Sequence, residues 1–221
     1  MAELPLPTAI YQLRLVLAGI SPIIWRRLLV SSQTTIAQLH QYIQVAFDWS
    51  GEHLHRFRIH GKDYGIADLG GMSFDDDPHQ VPLSRFRLHP RESFRYEYDF
   101  TAHWRVDLRL EEILPQDQRV LPVCVGGRAA TPGEEYAGGA LEYLHRLDRH
   151  RHEFPFEALG KMAEGIGGWL DAGGGRPALG DLQELRQAAE RVSEYQEFQP
   201  RRCDRREIHG KLQAIGQEVV A

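Results

Sequence analysis

Cysteine is nearly absent: Cys124 and Cys203 are the only two in 221 residues. Two isolated cysteines cannot make a disulfide framework or a cysteine-built zinc site. Lysine is almost as scarce, with Lys62, Lys161 and Lys211 alone among 26 basic residues. Arginine therefore carries the positive charge; genomic base composition explains that as well as binding does, although arginine favours bidentate phosphate contacts. No apolar run approaches the roughly 18 residues a membrane helix needs. The stretch MAELPLPTAIYQL lacks a basic flank followed by an apolar core, so no secretory leader is expected. A large charge of either sign is missing too: the net charge is −5 and the pI about 6.1, which excludes a surface that binds polyanions all over. Signature motifs are missing as well. There is no GxxxxGK[ST] loop, no GxSxG elbow and no HExxH helix. The glycines at 173–175 have no strand before them and no Lys-Ser/Thr after them, so they read as linker. These absences point to a cytoplasmic, reduced, soluble protein without a membrane partner.

What is present suits a packed core: 42% hydrophobic and 26% charged residues. The length fits one domain with an extension, or two small ones. Residues 1–110 balance 12 Lys+Arg against 12 Asp+Glu, whereas residues 111–221 hold 14 against 19. The acidic excess thus lies in the back half.

Ile10 to Leu17 alternates, with Leu13, Leu15 and Leu17 on one face and Gln12, Arg14 and Val16 on the other, which predicts a half-buried strand. Gly19 and Pro22 mark a turn, and Ile24 to Val30 reads as a second strand. Thr35 with Gln38 three residues on is a capping box, opening a helix whose apolar face is Ile36, Leu39, Ile43 and Phe47. His53 to His60 alternates again, with His55, Phe57 and Ile59 opposite Arg56, Arg58 and His60, and Gly61-Lys62 reads as a hairpin turn. Residues 66–93 read mostly as loop. Phe94 to Phe100 and Trp104 to Leu110 predict an antiparallel hairpin joined by Thr101-Ala102-His103. Pro122 to Gly139 reads as an ordered loop. Helical periodicity then covers 141–148, 155–171, about 180–198 and 204–219. The expected fold is α+β: a mixed, largely antiparallel sheet against the capped helix, with a mostly helical C-terminal part. A boundary is placed at the glycines, giving domains 8–172 and 173–221. The C-terminal helices would pack as a hairpin or join two copies in a homodimer.

Four constellations carry candidate chemistry. His53 and His55, two apart on a strand, would offer two imidazoles to one divalent metal, with Asp99 and His103 from the hairpin completing the set. The competing account makes His55 a hydrogen-bonded core residue beside Phe57 and Ile59. Asp99 to Trp104 sits at a hairpin tip, where chemistry often collects, but it lacks a complete nucleophile, base and orienter. Trp25-Arg26-Arg27 resembles a stacking and phosphate-gripping group, yet adjacent strand residues face opposite sides. Arg56 and Arg58 extend that nucleic-acid reading. The basic run His145 to His152 and the arginines at 201, 202, 205 and 206 around Cys203 read as solvated surfaces or as contacts for an anionic partner.

Tyr11-Gln12-Leu13-Arg14, Gly19-Ile20-Ser21-Pro22 and Ile24-Trp25-Arg26-Arg27, together with Thr35, Leu39-His40, Ile43-Gln44, Phe47-Asp48-Trp49 and His53-Leu54-His55-Arg56-Phe57, resemble the plasmid pRiA4b ORF-3-like family. Tyr96-Glu97-Tyr98-Asp99-Phe100 with Trp104, and Pro122-Val123-Cys124 with Gly126 and Arg128, fit it as well. Members are also met as insertion-sequence passengers under a resolvase-like label. The resemblance implies an α+β domain and a mobile-element setting, but no established reaction; the nucleophilic serine and supporting arginines of a serine recombinase are not located. The chain departs from the family where a Gly-Asp pair becomes Thr101-Ala102, a late histidine becomes Val106, and the cysteines of a later loop are missing from Ala130 to Gly139. If those family residues form a metal or catalytic cluster, this member has lost several of them. The resulting expectation is a non-enzymatic accessory protein of a plasmid or other mobile element, acting as a binding module through His53, His55, Asp99, His103 and Trp104. Its rivals are a metal-dependent hydrolase or nuclease using His53, His55, Asp99 and His103, and a nucleic-acid binder using Arg26, Arg27, Arg56 and Arg58.

Overall fold

Alternation in the first strand becomes β1 (Ala9–Leu17) of a computed structural model that describes residues 8–67, 72–134, 136–173, 182–198, 200 and 202–218. Gly174, Gly175, Pro177 and Arg201 lie outside the described residues. β1 pairs with β2 (Ile24–Ser31) on one side and β6 (Trp104–Pro115) on the other. With β3 (His55–Ile59), β4 (Lys62–Tyr64), β5 (Ser93–Tyr98) and β7 (Val123–Arg128) they form a seven-stranded sheet ordered β4-β3-β5-β6-β1-β2-β7. Each of its pairings is antiparallel, so the parallel element allowed for by a mixed sheet does not occur among the described residues.

One face of the sheet is apolar. Leu13, Leu15, Phe57, Tyr96, Val106 and Leu108 on it are fully buried. Against it lies α1 (Ile36–Phe47), whose Ile36, Leu39, Ile43 and Phe47 are fully buried. Each such side chain contributes about 1.5–3 kcal/mol by leaving water. The helix begins where its capping box predicts: Thr35 Oγ1 accepts the Gln38 N–H and Gln38 Oε1 accepts the Thr35 N–H. The β3–β4 turn sits one residue earlier than expected. His60 and Gly61 both have positive φ (50° and 80°), which is the type I′ geometry that matches strand twist.

Strand β7 replaces part of the loop expected at 122–139. Its glycines hid it, because glycine is poor in strands unless something approaches closely. Here a Cβ on Gly126 would stand 3.1 Å from the Trp25 ring, and one on Gly127 would stand 2.8 Å from Cys203 Sγ.

The chain divides into two compact units, residues 1–144 with 201–221, and residues 145–200. The first holds the sheet, α1, the start of α2 (Gly139–His152) and α5 (Arg205–Glu218). Lys211 on α5 bonds Asp48 at the end of α1 (2.8 Å), and Leu212 is fully buried. The second unit holds the end of α2, α3 (Phe156–Asp171) and α4 (Leu182–Glu197). The division expected at 173 falls between α3 and α4, which pack closely enough that a Cβ on Gly165 would meet Leu185 Cδ2 at 2.6 Å. Asp171 thus marks where a helix ends rather than where packing ends. No helix among the described residues is long and apolar enough to cross a membrane.

Candidate functional site

His55 points into the core from β3, opposite Tyr98 on β5. Its ring stacks on that of His40 from α1, with centroids 3.7 Å apart and planes 12° apart. His40 Nδ1 lies 2.8 Å from the Tyr96 hydroxyl, which also accepts a hydrogen bond from Gln44 Nε2 (2.6 Å). That geometry suits a neutral His40 whose Nδ1 accepts the tyrosine proton. Burial pulls His40 down to about 3, assisted by the facing His55, and burial pulls His55 down to about 4. Two stacked neutral imidazoles result. His40 was not among the candidate site residues, although its place four residues after Ile36 and three before Ile43 sets it on the apolar face of α1, the one signal that could have found it.

The other hairpin residues serve the turn. Asp99 adopts φ 50°, its Oδ1 accepts the Thr101 N–H (3.0 Å), and its carbonyl accepts the His103 N–H (2.7 Å). Trp104 is 1% exposed, tilted against Trp49, and its indole nitrogen has no hydrogen-bond partner. His53 and His103 are exposed, His53 meeting the Tyr98 ring edge-on at 5.6 Å. Among the described residues no group of three or more His, Cys, Asp or Glu side chains is arranged to hold a metal. The ligand set drawn from His53, His55, Asp99 and His103 therefore does not assemble: strand alternation turns His55 inward while His53 precedes the strand, and Asp99 is engaged by its own turn. The expected ligand surface shrinks for the same reason, with His55, Asp99 and Trp104 buried.

The four arginines proposed for nucleic acid are each engaged. Arg26 is 2% exposed and faces the core. Its guanidinium donates to the carbonyls of Ala46, Trp25 and Arg128 (2.9, 2.9 and 3.1 Å) and to Thr131 Oγ1 (2.9 Å). It closes the last turn of α1 instead of facing solvent, and burial lowers its proton affinity. Arg27, on the opposite face, holds Glu111 through Nε and Nη2. Arg56 pairs with Glu97 and Asp63, and Arg58 with Asp63.

The outward face of the sheet carries what the sequence reading left unassembled. Strand register places Arg27, Arg14 and Arg109 directly beside one another on β2, β1 and β6. Like charges opposite one another are destabilising. Among the described residues only Arg27 of the three is ion-paired with a carboxylate, that of Glu111. Arg14 lies over the Trp25 ring (5.3 Å to its centroid) with Nε unbonded. Arg105 and Arg109 are exposed, and no acidic side chain among the described residues pairs with either. Each of these arginines was legible as polar-phase; their adjacency needed the register.

In the second unit, the basic run on α2 helps line a cleft of about 490 Å³ with Arg191, Tyr195 and Phe198 of the α4 segment. There His150 stacks on Tyr195 (4.2 Å, 13°) and Arg146 lies over Phe198. Of the later arginines, Arg202 lies 3.8 Å from Asp204 and Arg205 donates to the Val125 carbonyl.

Comparison with known proteins gives a family but no chemistry. The profile of the family described as plasmid pRiA4b ORF-3-like protein matches residues 9–169. The uncharacterized protein y4hQ of Sinorhizobium fredii is 27% identical over 154 residues, which cover 68% of this chain and 79% of that protein. A crystal structure of a protein of unknown function, MM3350 from Methanosarcina mazei Go1, superposes with a TM-score of 0.66 at 26% identity, covering 91% of this chain and 97% of the other.

Proposed function

We propose, starting from the fact that this chain belongs to the plasmid pRiA4b ORF-3-like protein family, that it is a non-enzymatic accessory protein of a plasmid or other mobile element and acts as a binding module. The observation that carries this reading is the fate of the polar groups. Three of those with catalytic potential are engaged in the core and turns: His55 against His40, Asp99 in its own loop, Arg26 on backbone carbonyls. Arginines such as Arg105 and Arg109 stay accessible on a broad sheet face, and they suit recognition better than bond making. The binding surface thus moves from the hairpin loops to the outward face around Arg14, Arg105 and Arg109.

A photoreactive residue placed at Arg109 tests this in cells carrying the element. A discrete adduct is expected from position 109, and none from the exposed His79 on a distant loop. Absence of an adduct at 109, or equal adducts at both positions, refutes the reading.

A further inference from the structure

We infer that the outward face of the sheet is a docking surface for single-stranded nucleic acid, held by its phosphates. The inference rests on the binding-module reading and names its partner.

The argument begins with charge. Antiparallel neighbours are about 4.5–5.5 Å apart, so the row Arg27–Arg14–Arg109 forces three guanidinium stems side by side. A fold gains nothing from that row by itself. Glu111 satisfies Arg27, while Arg105 and Arg109 are exposed with no acidic partner among the described residues. The chain's net charge of −5 makes the local excess a feature of this face and not of the whole molecule. Planar guanidiniums are suited to bidentate contact with phosphate.

Shape and composition then narrow the partner. A protein interface needs an apolar centre with buried aromatic or aliphatic anchors. In the rows around Arg14 the apolar residues are Val16 and Trp25, both half-buried, with Trp25 overlaid by Arg14 and Arg27, and Leu29 beside Gln12, which is already buried and offers no anchor to a partner. A duplex is disfavoured because its major groove admits a helix or a two-stranded ribbon, and these arginines sit on the middle strands of a seven-stranded sheet. A single strand can lie across the rows with successive phosphates on successive guanidiniums, its bases free to stack on guanidinium planes.

The test uses the full chain and a fluorescent oligothymidylate of about twenty nucleotides. Binding is expected to weaken with salt along a log–log line. The double variant R105Q/R109Q is expected to bind about tenfold more weakly, with a salt slope shallower by about 1.4, since each phosphate contact on a single strand contributes about 0.7. R105K/R109K should recover most of the slope, and R85Q, on the 3-10 turn at Leu83–Phe86, should match the parent. Unchanged melting temperatures for the glutamine variants confirm that folding is not what is lost. No salt-sensitive binding, a double variant that binds like the parent, or equal affinity for a duplex of the same length overturns the inference. So does an adduct at position 109 that a protease destroys and a nuclease leaves intact, an outcome under which the binding-module reading itself survives.

Discussion

Acid should unfold this protein through two histidines before its carboxylates matter. His40 and His55 are each 6% exposed, stacked and neutral, at about 3 and about 4 in the fold against 6.5 when solvated. A base whose folded value is depressed stabilises the fold fully above the solvated value, and that stability drains as pH falls from there toward the folded value. The unfolded chain takes up a proton at each histidine while the fold refuses it. One unit of pH below 6.5 is worth about 1.4 kcal/mol per site, so going from about pH 7 to about pH 5 removes roughly 2 kcal/mol per histidine and roughly 4 kcal/mol from the pair. The ion-paired carboxylates Asp63, Glu92 and Glu111 are lowered in the fold, so their contributions fade mainly at more acidic pH. Urea unfolding at both pH values measures the drop. In His55→Phe, which keeps a ring against His40, the drop should halve. A parent whose stability changes by less than about 1 kcal/mol over this interval, or a variant that falls as steeply as the parent, refutes the neutral-pair argument.

Further consequences follow from single contacts. Arg26→Met should destabilise by about 2–4 kcal/mol, because it strips donors from the buried carbonyl of Ala46 and the partly buried one of Arg128; Arg26→Lys should regain only part, having no fork to reach both, and denaturant midpoints report each. Thr35→Ala should cost about 1 kcal/mol by removing the acceptor for the Gln38 N–H, read in the same way. Gly139→Ala should prevent folding of the hairpin region, since φ is 60° and the added carbon would overlap the Ala102 carbonyl oxygen; loss of soluble, cooperatively melting protein is the readout.

Elements written by period were legible in advance. β1, β5 and β6 follow two-residue alternation, α1 follows its capping box, and the later helices fall close to their periodic segments. Strand β7 was not legible because its glycines answer a contact with Trp25 and Cys203 from elsewhere in the chain. The return of α5 to the sheet unit was hidden for a similar reason, since Lys211 and Leu212 gain their partners only in three dimensions.

The candidate site shows what alternation can and cannot tell. Alternation assigns a face: it placed His55 with Phe57, and it put Arg14 and Arg27 opposite the leucines and Arg26. It does not name the neighbour across the strand gap. Arg56 and Arg105 both stand beside Glu97 in register, yet Arg56 takes the ion pair and Asp63 as well, leaving Arg105 exposed. Between Gln12 and Leu13 the β1–β6 register shifts by one residue. Below the shift Gln12 faces Glu112; above it Arg14 faces Arg109, and Glu111, the residue passed over, reaches both Gln12 and Arg27. A one-residue bulge bends a strand and re-aims the side chain it leaves unpaired. Deleting Glu111 would restore regular pairing at the cost of Arg27's partner, and three guanidiniums would then stand in one row with no carboxylate among them. The bulge is what lets the sheet tolerate the row, and no pattern within a single strand announces it.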